Sequence, residues 1–136
     1  MTTRTSPGRF GALALAAAAT ALPLTLLTAV PASANDDDVI RRGGCSGATD
    51  WKLKASPEDG RIEVEGEIDS NRNGQEWRWR MKHNGSLTAK GTKTTRGASG
   101  SFEVRRVVVD LRGTDRLVFR AVDKRSGEVC RGTVRF

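Results

Sequence analysis

A hydrolase needs a nucleophile beside a base, or two carboxylates in a cleft, and this chain offers a single imidazole, His83. Ser46, His83 and Asp50 are the residues from which a triad could be drawn, yet no Gly-x-Ser-x-Gly turn presents the serine. Asp69, Asn71 and Asn73 stand at alternate positions ahead of Gly74, as ligands do at the opening of a calcium loop. The closing glutamate is missing: Arg80 stands in its place, Arg72 adds positive charge inside the loop, and an ordinary Asn-Gly turn accounts for the same residues. They are a weak calcium candidate. Two distant cysteines and one histidine cannot complete a four-ligand zinc site without carboxylates. The residues imply no catalytic group, no enzyme and no cofactor.

Binding chemistry is better represented. Arg41, Arg42, Lys90, Lys93, Arg96, Arg105 and Arg106 lie in runs that read as loops or edges, and they are candidates for an anion-binding patch. Such a patch suits a cell-envelope polyanion such as an anionic wall polymer or an acidic polysaccharide. Stacking of nucleic-acid bases fits less well, because Trp77 and Trp79 alternate with charged residues and fall on a core face. Recognition of another secreted protein, through an edge strand or the glycine-rich 84–100 segment, is the alternative class.

These residues have to be positioned by something, and the first 34 are not part of it. Arg4 and Arg9 precede an apolar run from Phe10 to Val30, which ends in Pro31-Ala32-Ser33-Ala34 and then Asn35-Asp36-Asp37-Asp38. That order is an export signal with cleavage between Ala34 and Asn35. The run also approaches the roughly 20 residues needed to span a bilayer, so retention as an anchor stays open. Once the signal is removed, nothing left is apolar enough to enter a membrane, and a secreted or wall-associated monomer is expected. Residues 1–34 hold two of the 23 basic residues and none of the 16 acids, which leaves a formal charge of +5 beyond them.

Export brings an oxidising compartment, where an isolated pair of cysteines, Cys45 and Cys130, is most simply a disulfide. Residues 35–44 lack sustained periodicity and read as a flexible leader. From Cys45 to Phe136 apolar and polar residues alternate. Trp51, Leu53 and Ala55; Ile62, Val64, Gly66 and Ile68; Trp77, Trp79 and Met81; Leu117, Phe119 and Ala121; and Cys130, Gly132 and Val134 form successive inward sets. Asn73-Gly74 suits a two-residue hairpin turn. Counting outward from it sets Asp69 against Arg78, Glu67 against Arg80 and Glu65 against Lys82. Phe102 and Val104 give way to Val107, Val109 and Leu111, a shift in phase that predicts a bulge or bend at Arg105-Arg106. About seven short strands and no helical period predict an all-β domain over 45–136: a small antiparallel sandwich of immunoglobulin-like architecture, or a partly open barrel, with one disulfide.

The stretches Cys45-Ser46-Gly47, Asp50-Trp51-Lys52-Leu53-Lys54, Asn71-Arg72-Asn73-Gly74-Gln75-Glu76-Trp77, Ser101-Phe102-Glu103-Val104-Arg105-Arg106 and Gly127-Glu128-Val129-Cys130-Arg131-Gly132 resemble a family of small secreted actinobacterial proteins with no assigned activity. The resemblance implies a secreted one-domain protein and adds no functional residue.

Overall fold

Alternation dominates the chain, and the computed structural model, which describes residues 37–136, turns it into eight strands and no helix. The strands are β1 (Val39–Gly44), β2 (Asp50–Glu58), β3 (Arg61–Asp69), β4 (Glu76–His83), β5 (Ser86–Thr94), β6 (Ser101–Val109), β7 (Arg116–Asp123) and β8 (Val129–Arg135). They form two four-stranded antiparallel sheets, β1-β2-β3-β6 and β5-β4-β7-β8, which face each other without closing into a barrel. The expected sandwich is present. Its eighth strand is β1, from a stretch expected to be a flexible leader: Val39 through Gly44 pair with Ala55 through Asp50, and Val39 packs against the core. The export signal and its cleavage point lie outside the described residues.

The inward sets meet as one core, in which Leu53, Ile62, Ile68, Trp77 and Phe119 are fully buried. One long side of the sandwich is closed by Trp51. Its ring occupies the space that a side chain at Gly43 or Gly132 would need, and its indole N–H donates to the Gly44 carbonyl at 3.1 Å. The Cys45–Cys130 disulfide lies on the same side. Beside it, the Glu128 carboxylate accepts from Gly47 N, Thr49 N and Thr49 Oγ1 at 2.9–3.1 Å, which holds the segment between β1 and β2 against β8. On the opposite side the Arg106 guanidinium lies 5.1 Å from the Trp79 ring centroid.

Two expectations about connection fail. The β3–β4 hairpin does not form: β3 lies between β2 and β6, whereas β4 lies between β5 and β7 in the other sheet. Residues 70–75 cross between sheets, and their backbone bonds go to the 95–100 segment, with Gly74 N donating to Thr95 O and Ser70 N to Gly100 O. The tight turns are instead Asp59-Gly60, joining β2 to β3, and Asn84-Gly85, joining β4 to β5. In each of them both residues have positive φ, as a type I′ turn requires, whereas at Asn73-Gly74 only the glycine does. Nor is there a bulge at Arg105-Arg106. β6 pairs with β3 without a break, Arg106 takes an inward position at the sheet edge over Trp79, and Val107 and Val109 face solvent. The irregularity lies between Met81 and Lys82, opposite Leu87 to Ala89.

At the end of the sandwich near the Asn84-Gly85 turn, Asp115 is fully buried and accepts from His83 Nε2 at 2.5 Å, Asn84 Nδ2 at 2.9 Å and Leu111 N at 3.0 Å. Burial pushes its pKa up, but these donors outweigh burial and hold the carboxyl below the usual aspartate range. Asp123 is lowered in the same way: burial opposes the shift, and Ser126 and the Arg125 and Ser126 backbone impose it. A carboxyl with a depressed folded pKa adds stability above its unfolded pKa, and that stability is lost as pH falls through the folded value. The domain is therefore expected to hold its full stability down to about pH 5 and to lose it below about pH 4. Asp115→Asn should remove roughly 2 kcal/mol at neutral pH and flatten part of the acid loss. Urea melts of both proteins at neutral and acid pH check this, and parallel pH curves would refute it.

Candidate anion-binding face

The two outer faces of the sandwich are built from opposite charge patterns. On the β1-β2-β3-β6 sheet, β3 turns Glu63, Glu65, Glu67 and Asp69 outward, and the flanking strands supply cations. Lys52 bridges Glu67 and, at 3.2 Å, Glu65; Arg105 reaches Glu65 at 3.0 Å, Glu103 at 3.3 Å and Glu63 at 3.6 Å; Lys54 pairs with Asp38 at 3.0 Å. Burial raises the Glu65 pKa, but Lys52 and Arg105 outweigh it and keep the carboxyl ionised. On this face the three central glutamates of β3 each have a cation beside them, whereas Asp69 faces Asp50.

The β5-β4-β7-β8 sheet differs. Its outward positions carry Arg78, Arg80 and Lys82 on β4, Lys90 on β5, Arg116 and Arg120 on β7, and Arg131 and Arg135 on β8. Register stacks them: Lys90 is opposite Arg80, Arg80 opposite Arg120, and Arg120 opposite Arg131, so one row crosses all four strands as cation beside cation. Arg116 is likewise opposite Arg135. Glu76, at the β4 end, is the outward acid, and it pairs with Lys124. Among the described residues no carboxylate forms an ion pair with any cation of the row. With strands about 4.8 Å apart, the row is about 14 Å long. Val118 and Val122 lie between the arginines on β7; Val118 is only 7% exposed, as expected where long cationic side chains lay their stems over an apolar floor.

Two shallow depressions open on this face. One, of about 550 Å³, is lined by Arg78, Arg80, Lys90 and Arg120 with Thr92 and Val122, and by the edge of Trp79 at Gly91. The other, of about 150 Å³, is lined by Arg80, Lys82, Arg116, Arg120 and Arg131 around Val118 and Gly85. No acid lines either one. A larger groove of about 840 Å³ at the 70–75 crossover mixes Arg72, Lys124 and Arg125 with Glu76 and Asp123 and carries no such excess.

Of the cations singled out from sequence, Lys90 alone belongs to the row. Arg105 is engaged by three glutamates and Arg106 by Trp79. Arg41 donates to the Ile40 carbonyl, and Arg42 shares a groove with Asp50, Glu67 and Asp69 on the opposite sheet. Lys93 and Arg96 flank Glu103 at the β5–β6 side. The residues missed were Arg80, Arg120 and Arg131. Their signal is a cation at an outward position of three strands, legible only once the strand order is known.

Asp69 stands opposite Asp50 on β2, whereas Asn71 and Asn73 are exposed in the crossover. The three carboxylates that do converge, Glu65, Glu67 and Glu103, are already bridged by Lys52 and Arg105. The serine and histidine of the drawn triad are likewise apart. Ser46 Oγ accepts from Val129 N, and Val129 pairs with Val122; His83 pairs with Leu117, about 17 Å away along β7. No protein-family model, curated protein or solved structure matches the chain. Among the described residues no helix is long and apolar enough to cross a membrane.

Proposed function

We propose that this chain is an exported, non-catalytic binding domain whose ligand is an anionic polymer, met by the outer face of the β5-β4-β7-β8 sheet. The observation that carries the reading is the row Lys90–Arg80–Arg120–Arg131. Like charges directly opposite one another across strands cost roughly 0.2–1 kcal/mol per pair; on the other sheet Glu67 faces Glu103 and Asp50 faces Asp69, but Lys52 and Arg105 bridge the glutamates, whereas among the described residues no acid bridges the basic row. A polymer's negative charges offset the repulsion on binding, with release of the polymer's condensed counterions.

The polymer class is narrowed by what stands beside the cations. The outward positions of the four strands hold valine, threonine and leucine, and Trp79, which edges the Lys90 depression beside Gly91, is only 5% exposed, so bases have no open ring face to stack on. Wall polymers and acidic polysaccharides fit a flat, basic, non-aromatic face. The export signal and the disulfide, a bond that persists in oxidising compartments, support placing the encounter outside the cytoplasm.

Titration with polyphosphate and with polygalacturonate, followed by amide chemical shifts, tests the reading. Saturable binding at physiological salt is expected, with shifts on β4, β7 and β8 and an affinity that falls linearly with the logarithm of salt concentration. Absence of saturable binding by either polymer, or shifts confined to β2 and β3, would falsify it.

A further inference from the structure

The smaller depression on the basic face differs from the rest of it in shape as well as in charge. Arg80 and Lys82 come from β4, Arg116 and Arg120 from β7, and Arg131 from β8, and all five surround one volume of about 150 Å³. Its lining holds no acid, and the apolar floor at Val118 gives these cations no acceptor. The row beyond it, toward Lys90, opens into a wider and shallower surface.

Five cationic side chains around one small volume call for an anion with several oxygens and more than one charge. A carboxylate brings two oxygens in a plane and a single charge. A phosphate monoester brings three terminal oxygens and about −1.5 to −2 charges, and arginine forks bind it through paired N–H donors. Lys82 adds a compact ammonium at the same rim. We infer that this depression is a discrete site for a phosphoryl group, a terminal or pendant phosphate, so that the polymer bound by the face is a phosphorylated one. This deepens the polymer-binding reading and rests on it.

Inorganic phosphate is the probe, titrated into the full domain with amide shifts recorded, and acetate and sulfate are run alongside it. Phosphate is expected to saturate in the millimolar range, with shifts centred on Lys82, Arg116, Val118 and Arg131, and acetate to produce none of them. Sulfate shares the tetrahedral geometry, so sulfate binding as tight as phosphate at neutral pH would overturn the phosphoryl assignment in favour of a sulfated polymer. The double variant Arg116→Gln/Arg131→Gln should weaken phosphate about tenfold or more, whereas Arg42→Gln, a neutralisation on the opposite sheet, should leave it unchanged. Shifts spread evenly over the face, or equal shifts from acetate, would show diffuse attraction and overturn the site. Polyphosphate titration of the same double variant keeps the two readings apart. Polymer binding without a phosphate site removes this inference and leaves the face, whereas loss of polymer binding in the unmodified domain removes the face itself.

Discussion

Loss of the Cys45–Cys130 bond should lower the stability of this domain by about 4.5 kcal/mol, the figure that the chain-entropy model gives for a loop of this length. The bridge joins residues 85 positions apart, so it closes nearly the whole domain into one loop and removes a large share of the freedom of the unfolded chain. For a domain of about one hundred residues, total stability is of order 5–15 kcal/mol, and a loss of this size corresponds to a fall in Tm of roughly 20 °C. Chemical denaturation of Cys45→Ala/Cys130→Ala against the unmodified protein measures it. A difference below about 1 kcal/mol would mean that Trp51, seated over Gly132, and the Glu128 clamp already restrict the same ends of the chain, and that the entropic account fails here.

The second large effect concerns binding. Arg80→Thr/Arg120→Thr removes the two central members of the cation row and substitutes a residue that strands favour. Lys90 and Arg131 then remain separated by two neutral positions of the row. Polyphosphate affinity at physiological salt is expected to fall about 100-fold, and the salt slope should shrink by about 2. The free domain should melt at the same temperature or higher, because one of the three like-charge contacts of the row loses both partners and the other two lose one each. That pairing of outcomes separates a binding surface from a structural one: a row that served folding would lose stability when neutralised and leave polymer binding unmoved.

Period-two alternation made most inward residues legible from sequence: Leu53, Ile62, Trp79, Phe119 and Val134 are all buried, whereas Val107, Val109 and Leu111, expected inward after a shift of phase, are exposed. The disulfide was legible as well, given two cysteines and an export signal. Partnership between strands was not. The acidic side of β3 is matched as well by Arg78, Arg80 and Lys82 of β4 as by Lys52 of β2 and Arg105 of β6, and charge complementarity cannot choose between them. Turn chemistry did not choose either, because Asp59-Gly60, Asn73-Gly74 and Asn84-Gly85 carry the same signal while only the first and third close hairpins. Loop length is what separates them. Two residues join the strands at each of these two hairpins, whereas six lie between Asp69 and Glu76, enough to carry the chain from one sheet to the other. The wrong pairing hid the candidate site, since it assigned Arg78, Arg80 and Lys82 to acids that belong to other strands.

The two long sides of the sandwich are fastened by different means. Along the β1–β8 side lie a covalent bond and an indole wedged between glycines; along the β5–β6 side lie the Arg106 contact with Trp79 and the single backbone bridge of Arg96 with Ser101. The domain is thus bound like a book, with a spine and a fore-edge. A parting of the sheets short of unfolding is then expected to be a rotation about that spine, admitting water to Trp79 and Phe102 before it reaches Cys130. Because β4 and β7 both lie inside one leaf, such opening swings the basic row as a rigid strip without changing the spacing of its charges.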